Sequence, residues 1–226
     1  MHDAVSSMGR VNGGLYVAAR ALSRLTGDRA RLLRYHFVAQ PVPETAPANA
    51  VRASRMIVRC VAPPDRVIAQ FPRADHVVAD RFARGCICFV AERDGRFMGF
   101  LWLARNGYDE DEVRCRYELA DPQRSAFDFD VYVEPQFRAG RCFAALWEAA
   151  NGYLATQGVR WSVSRISAFN PASLAAHRRL GIRTLFSGSF LRLGAVQLAV
   201  LGVPPFVHLS LNDRSRPCVA LACPDQ

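Results

Sequence analysis

Between residues 127 and 134 apolar and polar side chains alternate, with Phe127, Phe129, Val131 and Val133 on one side and Asp128, Asp130, Tyr132 and Glu134 on the other. That two-residue period predicts a strand, and Pro135, which has no N–H to donate, ends its pairing. The chain then turns through residues 138–141. Beyond the turn Phe143, Leu146, Trp147, Ala150 and Leu154 recur at helical spacing, which predicts a helix with one apolar stripe, stopped by Gly158. Trp161, Val163, Arg165 and Ser167 alternate with Ser162, Ser164 and Ile166 in a second strand, and a turn and a second helix follow before Ile182. A helix crossing between two strands favours a parallel or near-parallel pair. The central segment therefore reads as a βαβ unit with a helix appended.

The flanks carry weaker patterns. Residues 1–12 read as loose. Leu15, Ala18, Ala19, Leu22, Leu25 and later Leu32 and Leu33 recur at helical spacing across residues 14–34, with Gly27 and Asp28 splitting the helix in two. Residues 35–42 predict a strand, and PVPETAPANA reads as a linker. A short strand is expected over residues 56–61, and short helices over 65–71 and 74–83. Apolar runs at 86–92 and 97–104 flank Arg93-Asp94-Gly95-Arg96, a hairpin signal because Asp-Gly accepts the positive φ angles of a tight turn. NGYDEDE reads as a solvated acidic loop, and strands are expected over 113–119, 183–193 and 195–203, with CVALACPDQ adding an edge. Residues 193–212 are uncharged and about long enough to span a bilayer as a helix, but their glycines and paired prolines favour a buried strand.

Composition narrows the class. A chain of 226 residues, half of them apolar, can bury a full core, and its length suits one domain with extensions. The expected division is an N-terminal extension (1–53), a core (54–193) and a strand and tail completing it (194–226). The formal charge of +9 comes from arginine alone, since the chain has no lysine. That excludes a Schiff-base lysine and a P-loop lysine, and favours acidic partners such as nucleotides, phosphates, anionic headgroups or an acidic carrier protein. The arginines are scattered and no nucleic-acid recognition motif is present, so no nucleic-acid partner is expected. Seven cysteines without paired CxxC spacing, and a start that lacks an apolar targeting segment, point to reduced thiols in a cytoplasmic protein with no metal site. No transmembrane segment is expected; the basic N-terminal helix leaves peripheral membrane contact open.

At the central segment the residues resemble a family. VYVEPQFRAG, then a helix, a strand and FNPASLAAHRRLGI, is similar to the GNAT acyltransferases, which join an acyl-CoA to an amine; CFVAERDGRFMGFLWL resembles that family's antiparallel hairpin. The resemblance runs over residues 55–193. It implies an α/β (α+β) fold with a mixed, mostly antiparallel central sheet flanked by helices, here with an N-terminal helical extension. It further implies acetyl-CoA or another acyl-CoA as cosubstrate, no permanently bound cofactor, and a small-molecule amine acceptor. Backbone at Val131 and Val133 would receive the pantetheine and the thioester carbonyl. The turn Arg138, Ala139, Gly140, Arg141 and Cys142 would receive the pyrophosphate, because a helix start offers N–H groups to an anion and guanidinium groups bind phosphate in a two-pronged way. Asn170 and Ser173 open the second helix and complete the expected donor site.

The pattern departs from the family in two places. Arg141 and Phe143 stand at the turn's usual small-residue positions, with Gly140 one place early, and His177 stands where the family has a tyrosine that returns a proton to the leaving thiolate. Histidine titrates near neutrality and can take that role. Asn170, seven residues earlier, is expected on the same helix face. Asp128 and Asp130 share a strand face and are candidates for the base, their like charges raising one pKa. Phe71, Asp75 and His76 fall where the family's acceptor pocket forms. Two further readings keep the fold: an acyltransferase fed by acyl carrier protein, which would be steered to the arginines, and an acyl-thioester-binding module without catalysis.

Overall fold

A computed structural model of the chain describes residues 8–44 and 56–224. The helices are α1 (Gly9–Thr26), α2 (Asp75–Ala83), α3 (Cys142–Thr156) and α4 (Pro171–Arg178), with 3-10 turns at Arg66–Gln70 and Pro135–Phe137. Strands run β1 (Ala30–Pro41), β2 (Met56–Val61), β3 (Ile87–Arg93), β4 (Arg96–Ala104), β5 (Tyr108–Asp109) and β6 (Arg116–Leu119). They continue as β7 (Ser125–Val133), β8 (Trp161–Ser167), β9 (Arg183–Leu193), β10 (Val196–Leu201), β11 (Val207–Ser210) and β12 (Cys218–Leu221). These divide into two compact units, one of Met1–Pro41, Asn106–Asp121 and Val163–Gln226, the other of Val42–Arg105 and Pro122–Ser162.

In the first unit the strand order is β11-β10-β9-β1-β8, with β1, β9, β10 and β11 successively antiparallel. The N-terminal strand thus sits inside the sheet. Phe37 and Ala39 are fully buried, Tyr35 and Gln40 nearly so, which fits a strand with neighbours on both sides. The helix expected across residues 14–34 is shorter at one end and longer at the other. It starts at Gly9, so residues 9–12 are not loose, and it stops at Gly27, whose φ of 56° is the left-handed conformation of a helix end. Asp28, with φ 63°, completes the reversal, so Leu32 and Leu33 lie in β1. Their helical spacing was an accident of two elements placed end to end. Of the proline-rich linker, residues 45–50 lie outside the described residues, as do residues 1–7.

A second, small sheet of β12-β6-β5 belongs to the same unit, β12 parallel to β6. Phe37 carries the contact between the layers: it stacks on Phe186 at 4.3 Å and meets the edge of Tyr117 at 5.2 Å. The buried Gln197 brackets Arg114, accepting from its N–H at 2.8 Å and donating to its carbonyl at 2.7 Å. The acidic loop is not the solvated feature its charge suggests. Tyr108 is buried in β5, and the Glu110 side chain is wholly inaccessible, paired through both carboxylate oxygens with Arg165. Arg165 also meets Glu112 at 3.1 Å and lies over the Tyr35 ring at 4.4 Å. A charge run is solvated only when nothing basic is folded against it.

Register places Leu191, Leu193, Val196, Val200, Val207 and Leu209 on one face of β9, β10 and β11, and all six are exposed, Val207 by 61%. Residues 193–212 are strand and turn, but the strands expected to be buried have one face exposed; no helix among the described residues is long and apolar enough to cross a membrane.

The second unit carries β7-β4-β3-β2, antiparallel throughout. Asp94 and Gly95 both have positive φ, 51° and 74°, so the predicted Asp-Gly hairpin turn is present. Helix α3 buries the expected stripe of Leu146, Trp147, Ala150 and Leu154, together with Cys142 and Ala145. An aromatic layer of Phe71, Phe97, Phe100, Trp102 and Phe129 fills the space between the sheet and the short helices. At the rim, Arg59 binds both Asp65 and Glu92. The Arg59 guanidinium holds the Asp65 carboxyl down at about 2 from its usual 3.8. The native state therefore favours the charged form, so this contribution is complete above pH 3.8 and is lost as the pH falls through about 2. Asp65→Asn is expected to lower stability above pH 3.8 and to remove the pH dependence between there and about 2, so that variant and wild type converge in acid; unfolding curves that coincide at every pH would show the pair contributes nothing.

Candidate functional site

Strand β7 does not pair regularly with β4. Phe100 faces Tyr132 and Trp102 faces Phe129, so two steps on β4 match three on β7 and one extra residue is accommodated near Asp130 and Val131. Asp130 takes the strain, with φ of 49°, a left-handed conformation that aspartate tolerates better than most residues. This bulge breaks the alternation that put Asp128 and Asp130 on one face. Each carboxylate has its own partners: buried Asp128 accepts from the Ser162 hydroxyl at 2.7 Å, and Asp130 is held by Arg73 and by the buried Arg81. The charge of Asp130 is thus matched by two guanidinium groups. These lie on aromatic faces, Arg73 5.3 Å from Phe100 and Arg81 5.3 Å from Trp102.

Past the bulge the N–H of Glu134 donates to Met98 at 2.9 Å, so by antiparallel alternation the polar groups of Val133 point away from β4. Arg138 folds back and donates from Nε to the Val133 carbonyl at 3.0 Å. The turn itself is a 3-10 segment continued by Gly140 N–H to the Phe137 carbonyl, 3.1 Å. It needs no glycine: a Cβ on Gly140 would meet only the Phe137 carbonyl at 3.4 Å, and its φ is not left-handed. This is why arginine and phenylalanine are tolerated nearby. Helix α3 begins after Arg141 with no side chain capping it, and its first N–H groups have no acceptor within the helix. Arg141 is 64% exposed and, among the described residues, pairs with Glu148 at 3.5 Å. The structure thus brings Val131, Val133, Arg138, Ala139, Gly140, Arg141 and Cys142 together at one end of the second unit. Buried Cys142 has its thiol pushed up to about 11 by loss of solvent, so it is packing and no nucleophile.

The remaining candidates lie in the first unit, on α4. Asn170 is the helix cap, with φ −118°, and its side chain accepts from the Ser173 N–H at 3.0 Å. It is half in the helix, since its carbonyl also accepts from the Leu174 N–H at 3.1 Å. His177 is buried, its Nδ1 2.8 Å from the Ser173 carbonyl. A carbonyl only accepts, so the proton sits on Nδ1 and proton exchange would run through Nε2. Around the short helices, Phe71 is buried in the aromatic layer, Asp75 lines a cleft of about 340 Å³ with Asp65 and Phe82, and His76 is exposed. Sequence reasoning missed Arg73 and Arg81. They are some fifty residues from Asp130, and only the placement of Arg81 beside Val77, Val78 and Phe82 on an otherwise apolar helix face hinted at a buried partner.

No protein-family model matches this sequence, and a search of curated proteins gives no match. Solved structures are similar. A Drosophila protein matches with a TM-score of 0.51 at 14% identity, over 80% of this chain and 57% of its own. A tandem GNAT protein from the clavulanic acid biosynthesis pathway matches with a TM-score of 0.49 at 15% identity, over 82% and 58%. An aminoglycoside acetyltransferase from an uncultured soil metagenomic sample gives 0.40 at 15% identity, over 56% and 90%. The chain thus spans less than three fifths of the length of the first two. At these identities the likeness concerns the fold alone, and the mostly antiparallel central sheet with flanking helices is the architecture expected from the sequence.

Proposed function

We propose that this protein is an N-acyltransferase that moves an acyl group, acetyl in the simplest case, from an acyl-CoA to an amine on a small molecule. The observation that carries the reading is the bulge at Asp130 directly before a helix start flanked by Arg138 and Arg141. A strand whose backbone is bent away from regular pairing leaves peptide groups for a pantetheine arm, and an uncapped helix start beside two arginines suits a pyrophosphate. Asp130, clamped by two arginines, serves the architecture of the bulge; Asp128 and His177 remain the titratable candidates for moving protons. In this reading His177 protonates the departing thiolate.

Acetyl-CoA should raise the melting temperature of the full chain, and Arg138→Ala with Arg141→Ala should weaken its binding about 10- to 100-fold, since charge-assisted hydrogen bonds are the strong ones. Turnover is best followed by chromatography of free CoA, because Cys60 and Cys218 are exposed and would consume a thiol reagent. No stabilisation by CoA or acyl-CoAs, with stabilisation by acylated carrier protein, would move the donor to the carrier. The exposed Arg141, at a position the family fills with a small residue, favours that second reading. No response to either donor would end both. His177→Phe should lower turnover about 100-fold, the lower range of general acid catalysis, while leaving the dissociation constant of acetyl-CoA within about twofold. Equal losses in both would assign His177 to binding, and unchanged turnover would remove it.

A further inference from the structure

In the first unit β8 ends at Ser167, and its final bond to β1 is that of the Ala168 N–H with the Arg34 carbonyl, 2.9 Å. The chain then departs through Phe169 to the cap at Asn170, while β1 extends back to Ala30. A cavity of about 230 Å³ occupies the space beside the uncovered end of β1, lined by Arg31, Leu33 and Tyr35 of that strand, Ser23 of α1, Glu112 and Phe169. Tyr16 packs on Phe169 at 5.6 Å and supports this wall.

Behind Tyr35 stand two carboxylates, Glu110 and Glu112, with Arg165 between them, and Arg192 donates to the Glu112 main-chain carbonyl. Glu110 is wholly inaccessible and takes the two-pronged contact of Arg165, so the carboxylate that lines the cavity is Glu112, whose side chain is 46% exposed. The Tyr35 hydroxyl, pushed well up by burial, stays protonated and donates to Glu112 Oε2 at 2.8 Å. Arg165 approaches the same oxygen. Both contacts fall on Oε2, which leaves Oε1 available to accept. Arg31 also lines the cavity, is exposed and enters no ion pair among the described residues. Leu33 and Phe169 supply apolar lining.

The geometry points to a binding site for a compact zwitterion, a molecule with an ammonium group received by Glu112 and a carboxylate or phosphate received by Arg31. Opposite charges lining one cavity favour a molecule bearing both over one bearing either alone, because a single-charge ligand leaves the other group without a partner. The cavity volume fits a ligand of a few heavy atoms. Its chemistry does not depend on acyl transfer.

The test is calorimetric titration of the full chain, without any acyl donor, using β-alanine and O-phosphoethanolamine as zwitterions and propylamine and propionate as single-charge controls. The expected result is saturable binding of at least one zwitterion and at least tenfold weaker binding of both controls. Arg31→Gln and Glu112→Gln should each weaken the zwitterion at least tenfold. Arg31 is on the surface, so its variant keeps the fold; circular dichroism verifies both. β-Alanine and O-phosphoethanolamine separate a carboxylate-bearing from a phosphate-bearing ligand. Absence of binding by both zwitterions up to tens of millimolar would overturn the assignment, as would affinity untouched by Arg31→Gln, or controls that bind as tightly.

Discussion

Arg165→Met is expected to destabilise the protein by about 3–5 kcal/mol, the cost of leaving a buried carboxylate without its counter-charge. Glu110 has no access to solvent, and Arg165 meets it through two nitrogens while also touching Glu112 and covering Tyr35. Methionine preserves much of the stem's packing, so the measurement isolates the charge. Total stabilities of domains run to about 5–15 kcal/mol, which makes this loss a large share of the whole. Thermal unfolding should show a melting point lower by roughly 10 °C. Pairing the change with Glu110→Gln should recover a substantial part, because the uncompensated carboxylate is then gone. Arg141→Met, at an exposed arginine of similar chemistry, should shift stability by no more than about 0.5 kcal/mol. If Arg165→Met melts with the wild type, the pair contributes nothing net and the acidic loop is held by other contacts.

Gly99→Ala should be nearly as damaging and should also reach the donor site. A Cβ there would lie 2.4 Å from the Tyr132 carbonyl oxygen, 3.2 Å from the Val133 Cα and 3.4 Å from the Cys142 sulfur. The first two are backbone atoms, which cannot swing aside as a flexible side chain would, so β4 and β7 must separate next to the bulge. Overpacking of this kind costs about 1–3 kcal/mol. The displaced atoms include the strand end proposed to receive pantetheine and the first residue of α3, so acetyl-CoA binding should fall with stability. Gly14→Ala supplies the opposite sign: a Cβ there meets nothing within 4 Å, and in the interior of α1 alanine should be more favourable by up to about 1 kcal/mol. Urea denaturation of the two variants, with and without acetyl-CoA, checks both. Wild-type stability in Gly99→Ala would mean the strands have slack at this point.

Much of this was legible in the sequence because it is written in local periodicity. The strand ending at Val133, the buried stripe from Leu146 to Leu154 and the Asp-Gly turn each depend on neighbours a few places apart, and each is found where expected. What failed depends on partners far along the chain. Nothing near Glu110 announces Arg165, fifty-five residues later, and the two aspartates of β7 share a face only if no residue is inserted between them and the strand end. Asn170 shows a role that spacing alone does not give: an asparagine before Pro171 is suited to capping, and it caps α4. The end of α1 was misplaced for the converse reason, since leucines of a buried strand happened to continue the helical count beyond Gly27.

The apolar face of β9, β10 and β11 bears on how the protein behaves in the tube. With Leu193, Val207 and Leu209 each more than half exposed, and β11 at the end of its sheet, mutual repulsion among arginine-bearing molecules opposes clumping of these surfaces. Sulfate shields that repulsion and at the same time strengthens apolar attraction. Ammonium sulfate should therefore precipitate this chain early, and chloride buffers of modest ionic strength should keep it dispersed.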